Sequence, residues 1–222
     1  MNYKTLRNSL SLVLLLALSC SSARSKALVG EEPQVTVSVY NDAGIPAGIL
    51  LQAEREASRV FRQSGIEIRW LNCPLPPGGP EYQAQCGTAD FPQHLQLRIA
   101  KRSFNLNEFA MGISYLSADG TGCYADLFYE RAEQIHEISQ VNLATILGHA
   151  VAHELGHLLL GTNSHAPTGL MRARWQPADI ASASKGTLLF STSESLEMRN
   201  KLAPWHAQGR DDSHIATARL GD

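Results

Sequence analysis

Between Val141 and Leu160 the chain is apolar almost all the way round a helix, and that constrains the fold more than any other stretch. Leu143, Ala144, Ile146, Leu147, Ala150, Val151, Ala152, Leu155, Leu158, Leu159 and Leu160 leave no polar side that could face water. Such a helix belongs in the middle of a protein, packed on several sides. Yet it carries His149, His153, Glu154 and His157. Ionisable groups lose their hydration on burial, so each needs a partner inside.

The order His153-Glu154-Leu155-Gly156-His157 supplies one. Residues four apart share a helix face, so two neutral imidazoles can turn a nitrogen towards the same point. That is the H-E-x-x-H arrangement of a zinc site, with the glutamate beside the metal and free to act on water. The competing reading is a pair of core histidines with a salt-bridged glutamate. His149 lies on the same stripe one turn earlier. A tetrahedral site at 153 and 157 does not easily reach it, so a supporting or core role is expected.

Through "HELGHLLLGTNSH" and "GLM" the chain resembles the zincin metalloproteases, and most closely their metzincin branch. The branch pattern is H-E-x-x-H-x-x-G-x-x-H with a methionine turn beyond it. Here the glycine and the third histidine come late, at Gly161 and His165, where the pattern would place them at Leu160 and Asn163. The resemblance implies a zinc ion held by His153, His157 and His165, Glu154 as the catalytic base, and Met171 in a turn beneath the metal. Gly161 can take the left-handed conformation that ends a helix. Two glutamates further on, Glu194 and Glu197, are the rival third ligands, since some zincins use a distant acid.

The remaining chain reads as alternating elements. Val35–Tyr40, Ile66–Trp70 and His94–Ala100 alternate as strands, and Ile45–Gln63 has helical spacing between the first two. Strand, helix, strand implies a parallel pair. Phe109–Leu116 and Cys123–Tyr129 make two more strands about a turn, and residues 177–185 and 193–202 make two short helices. The expected fold is therefore α+β, with two long helices and a small helical end. The likeness to matrix-metalloprotease-type catalytic domains implies a mixed, twisted sheet of about five strands with an antiparallel edge at Phe109–Leu116.

At the start, Lys4 and Arg7 precede the apolar run Leu10–Leu18, too short to cross a bilayer but suited to a signal peptide over residues 1–19. Its removal leaves 17 basic against 21 acidic side chains, and the full chain has a net charge of −2. Neither value gives nucleic acid or an anionic membrane anything to hold. Cys20 follows the run and also resembles a bacterial lipoprotein signal, with Ala17 and Leu18 an imperfect fit. The expected organisation is a tether over 20–34, a zincin-like domain over 35–203 and a disordered tail over 204–222. The protein is then secreted, periplasmic or held in the cell envelope, and monomeric. In such a compartment Cys73 and Cys86, bracketing "PLPPGGPEYQAQ", suit a disulfide that leaves Cys123 free; three buried thiols are the alternative.

These readings point to an exported zinc metalloendopeptidase acting on peptides or proteins. The alternatives are a zinc-holding binding module of the same fold with little hydrolytic activity, and a closed structural site completed by Asp179 or His149.

Overall fold

The computed structural model describes residues 32–74, 84–102 and 110–218. The expected signal peptide, Cys20, most of the tether, Phe109 and the last four residues lie outside that range. The core is a five-stranded sheet: β1 (Gln34–Tyr40), β2 (Glu67–Cys73), β3 (His94–Ala100), β4 (Gly112–Tyr115) and β5 (Tyr124–Phe128), in the order β2-β1-β3-β5-β4. Four strands run parallel, and β4 pairs antiparallel with β5 at one edge. The class is α+β, as expected.

Alternation explains which face the helices cover. Val35, Val37 and Val39 of β1 and Leu95, Leu97 and Ile99 of β3 are buried in one cluster with residues from the helices. β-Branched and leucine side chains suit a pleated surface packed in this way. The polar positions between them find partners of their own. Arg98 makes two hydrogen bonds to Asp126, at 2.9 and 2.6 Å, and Tyr115 donates to the same carboxylate at 3.0 Å.

Among the described residues five helices accompany the sheet: α1 (Ala47–Gln63), α2 (Tyr129–Ser139), α3 (Leu143–Leu160), α4 (Pro177–Ser184) and α5 (Thr192–Ala218). Helix α3 is the apolar helix of the sequence, and 16 of its 18 residues are buried. By length and composition it could cross a membrane, but its surroundings are the sheet and the other helices. Asn142 caps its start by accepting from the Ala144 and Thr145 amides, and Gly161 ends it at φ 64°. The Lys201 ammonium reaches back from α5 to the Leu160 carbonyl, supplying a partner to one of the open carbonyls of the last turn.

Two elements differ from expectation. Helix α2 follows β5 directly where no element is predicted, and it buries only Ala132. Without an apolar stripe or a turn residue before it, the segment carries no periodic signal. Helix α5 runs through Pro204 to Ala218, where a chain without regular structure is expected from 204. Pro204 removes a helical donor and its ring crowds the preceding turn, and Gly209, Asp211, Asp212 and Ser213 are weak helix formers, so local propensity does not explain the continuation. Cys73 and Cys86 are joined, as the spacing suggested, and tie the end of β2 to a short 3-10 turn at Ala84–Gly87; Cys123 is free.

Candidate metal centre

Helix α3 presents His153 and His157 one turn apart, both buried. Each ring is held from behind by a backbone carbonyl: His153 Nδ1 lies 2.8 Å from the Leu170 oxygen, and His157 Nδ1 lies 2.8 Å from the Thr162 oxygen. A carbonyl can only accept, so both Nδ1 atoms carry the proton and both Nε2 atoms present lone pairs. Those two Nε2 atoms face each other at 3.1 Å. Two buried lone pairs that close repel each other, and a cation between them would remove that repulsion.

His165 comes from the loop after α3 and completes the group. Its ring lies 4.8 Å from that of His157 and 5.4 Å from that of His153, and the ligand-capable nitrogens of the three lie within 4.8 Å of one another. Among the described residues this is the one cluster of three such side chains. Nitrogens roughly 2.0–2.1 Å from a tetrahedral ion stand about 3.3 Å apart, close to the spacing of the α3 pair. The donor set therefore fits a small cation that favours nitrogen. Burial holds the two helical imidazoles below their ordinary range, His153 down to about 3, and desolvation lowers the more exposed His165 as well, so all three are neutral and ready to ligate.

The loop that delivers His165 is closed by its own backbone. The Ala166 amide donates to the Met171 carbonyl at 2.9 Å, and Trp175 Nε1 donates to the Leu170 carbonyl at 3.0 Å. The Leu170 oxygen thus accepts from both Trp175 and His153. Met171 is buried at 1% exposure and packs against α3 at Gly156, between the two helical histidines. A side chain at 156 would put its Cβ 2.9 Å from Met171 Sδ and 2.7 Å from Phe190 Cε1. Gly156 is what lets the floor of the site approach the helix.

Glu154 is 4% exposed and lies against strand β4. Ser114 Oγ is 2.8 Å from both its Oε2 and its main-chain oxygen. Burial pushes the carboxyl up to about 7, with the Ser114 contact pulling the other way. A cavity of about 330 Å³ opens beside Glu154, His153 and His165, and Met111, Ile135 and Trp175 form part of its wall.

The other sequence candidates lie elsewhere. His149 is fully buried, with Nδ1 at 2.8 Å from the Thr145 oxygen and Glu56 at 3.6 Å. Glu194 accepts from the Ser191 amide at the start of α5, and Glu197 lies 3.6 Å from Lys201. Asp179 pairs with Arg172 and caps α4. None of these four joins the histidine cluster. Sequence reasoning missed the Ser114 hydroxyl, the two carbonyls and the contribution of α2 to the cavity. Carbonyl acceptors leave no trace in residue identity. Ser114, two positions after Gly112, was legible only as part of a strand pattern.

No protein-family model matches the chain, and no curated protein matches it. Solved structures do. A zinc-dependent peptidase from Methanocorpusculum labreanum is 15% identical with a TM-score of 0.48, covering 73% of this chain and 99% of that one. The archaemetzincin of Methanopyrus kandleri is also 15% identical at a TM-score of 0.48, covering 79% and 99%. Both likenesses are weak, and the chemistry of the site rests on its own geometry.

Proposed function

We propose that the chain is an exported zinc-dependent endopeptidase, with His153, His157 and His165 holding the metal and Glu154 as general base. The observation that carries this reading is the pair of buried Nε2 atoms turned towards each other at 3.1 Å, each with its Nδ1 committed to a carbonyl. A core histidine pair would have no reason to aim two acceptors at one point.

When bound, zinc supplies a Lewis acid that lowers the pKa of water and polarises a carbonyl. Glu154 takes the proton of the attacking water on its carboxylate and returns it to the leaving amine. Burial pushes the carboxyl up to about 7 without metal, and a neighbouring dication would favour the ionised form that accepts the proton. His153, His157 and His165 would hold zinc with three protein donors and leave it open to water, which a catalytic site needs and a closed structural site lacks. The substrate lies extended along the outer edge of β4, the terminal strand of the sheet, and pairs with its backbone. The Cys73–Cys86 bridge suits an oxidising compartment and supports export.

The test compares wild type with His165→Ala. One zinc per chain and chelator-sensitive peptide cleavage are expected in wild type, with both lost in the variant. Zinc and activity retained by His165→Ala would remove His165 from the ligand set. Zinc without cleavage of any peptide in a broad library would leave a metal-holding binding module.

A further inference from the structure

We propose that Ser114 is a positioning residue for Glu154, and that the inward face of β4 forms a seat fixing that carboxylate; the proposal rests on the peptidase reading. Residues 112 and 114 of a strand point to the same side. At 114 the side chain is a hydroxyl, 4% exposed, within 2.8 Å of Glu154 Oε2. At 112 there is no side chain, and none would fit: a Cβ would stand 2.6 Å from Glu154 Cγ, 2.7 Å from its Cδ and 2.5 Å from the Asp126 carbonyl oxygen. The glutamate's methylene and carboxyl carbon therefore lie directly on the strand at Gly112, and its oxygen is held at Ser114.

A hydroxyl has one proton and here two acceptors on the same residue, the carboxylate and the Glu154 carbonyl. The charged oxygen is the stronger acceptor, and the carbonyl already belongs to the helix. Ser114 thus donates to Oε2, which leaves Oε1 as the oxygen that takes and returns the proton. Without this seat, a glutamate side chain has three rotatable bonds and several staggered alternatives. The arrangement also joins two functions in one short strand. Its outer edge is where the substrate is proposed to pair, and its inner face holds the base, so peptide and carboxylate share a single frame of reference.

Zinc-loaded full-length protein carrying Ser114→Ala or Ser114→Thr tests this, with zinc content, melting temperature, kcat, KM and acetohydroxamate affinity measured for each. Ser114→Ala is expected to keep its zinc and a KM within about threefold of wild type, while kcat falls about 10- to 100-fold, as for a misplaced reacting group. Acetohydroxamate, which gives a proton to the base on binding, should bind about tenfold more weakly. Ser114→Thr keeps the hydroxyl and should stay within about threefold of wild type in both readouts. Unchanged kcat and unchanged acetohydroxamate affinity in Ser114→Ala would overturn the proposal, as would equal losses in the two variants, which would make the role one of packing. If wild type holds zinc and acetohydroxamate but cleaves nothing, the peptidase reading fails, and the acetohydroxamate comparison still decides the role of Ser114.

Discussion

Replacing Gly156 by alanine should lower stability, although the same change in an open helix would raise it. Glycine costs a helix interior about 1 kcal/mol relative to alanine, so propensity alone favours the variant. The opposing effect is steric. The new Cβ would stand 2.7 Å from Phe190 Cε1, 3.1 Å from Cζ and 2.9 Å from Met171 Sδ. Carbon atoms rest at about 3.5–4.0 Å, so the ring must retreat by about 1 Å. Phe190 is nearly buried and packs on Phe61 with centroids 5.2 Å apart, which leaves it little room. Overpacking of this kind costs about 1–3 kcal/mol and outweighs the helical gain, for a net loss of about 1 kcal/mol. In a domain of this size the melting temperature should fall by about 2–4 °C. The displaced Met171 adjoins Leu170, whose carbonyl orients His153, so zinc affinity should weaken by about tenfold as well. Calorimetry on chelator-treated and zinc-loaded protein reads both effects. A higher melting temperature in Gly156→Ala would refute the close packing beneath the site.

Zinc should stabilise the protein, adding about 4 kcal/mol at a thousand times its Kd, and chelation should reverse the gain; a melting temperature indifferent to chelator would count against a bound ion. In metal-free protein, His153 contributes stability that is complete above its ordinary value of 6.5 and is lost as pH falls towards about 3. Burial shifts His149 and His157 the same way. Glu154 has the opposite sign, its contribution being complete below 4.5 and lost as pH rises through about 7. With His165 shifted the same way, four imidazoles outweigh the two carboxyls that burial raises, Glu154 and Glu54, so the melting temperature should drop between pH 6.5 and about 4, and a rise across that window in a pH series would contradict the assignment. Replacing both Cys73 and Cys86 by alanine should cost about 2–4 kcal/mol, measured by denaturant unfolding, because their bridge joins positions 13 apart in the sequence.

Much of this was legible in the sequence because burial leaves periodic traces. The valines of β1 at alternate positions and the leucines and isoleucine of β3 mark strands that match their predicted spans closely. An apolar helix interrupted only by His149, His153, Glu154 and His157 marks both the core and the site. Helix α2 left no such trace, since a helix that buries one alanine has no stripe to read. The continuation of α5 past Pro204 was hidden because a proline inside a helix reads as a stop. What holds the site in place was invisible for a different reason. The Leu170 and Thr162 carbonyls are backbone atoms that every residue carries, and only the folded path brings them behind the two imidazoles. The register that sets Ser114 opposite Ala125, and so against Glu154, depends on pairing between two strands. Gly156 was visible as a letter within the motif, but its purpose depends on Phe190 and Met171 arriving from distant parts of the chain.

The role proposed for Glu154 is to move the proton in a zinc-dependent hydrolysis. Its most direct test is peptide cleavage by wild type and by Glu154→Gln, each shown to contain one zinc. Glutamine keeps the size and neutral packing against Gly112 and Ser114 but cannot accept the proton. The variant should hold zinc as wild type does while its kcat falls by about 100-fold or more. Cleavage by Glu154→Gln at the wild-type rate would contradict it.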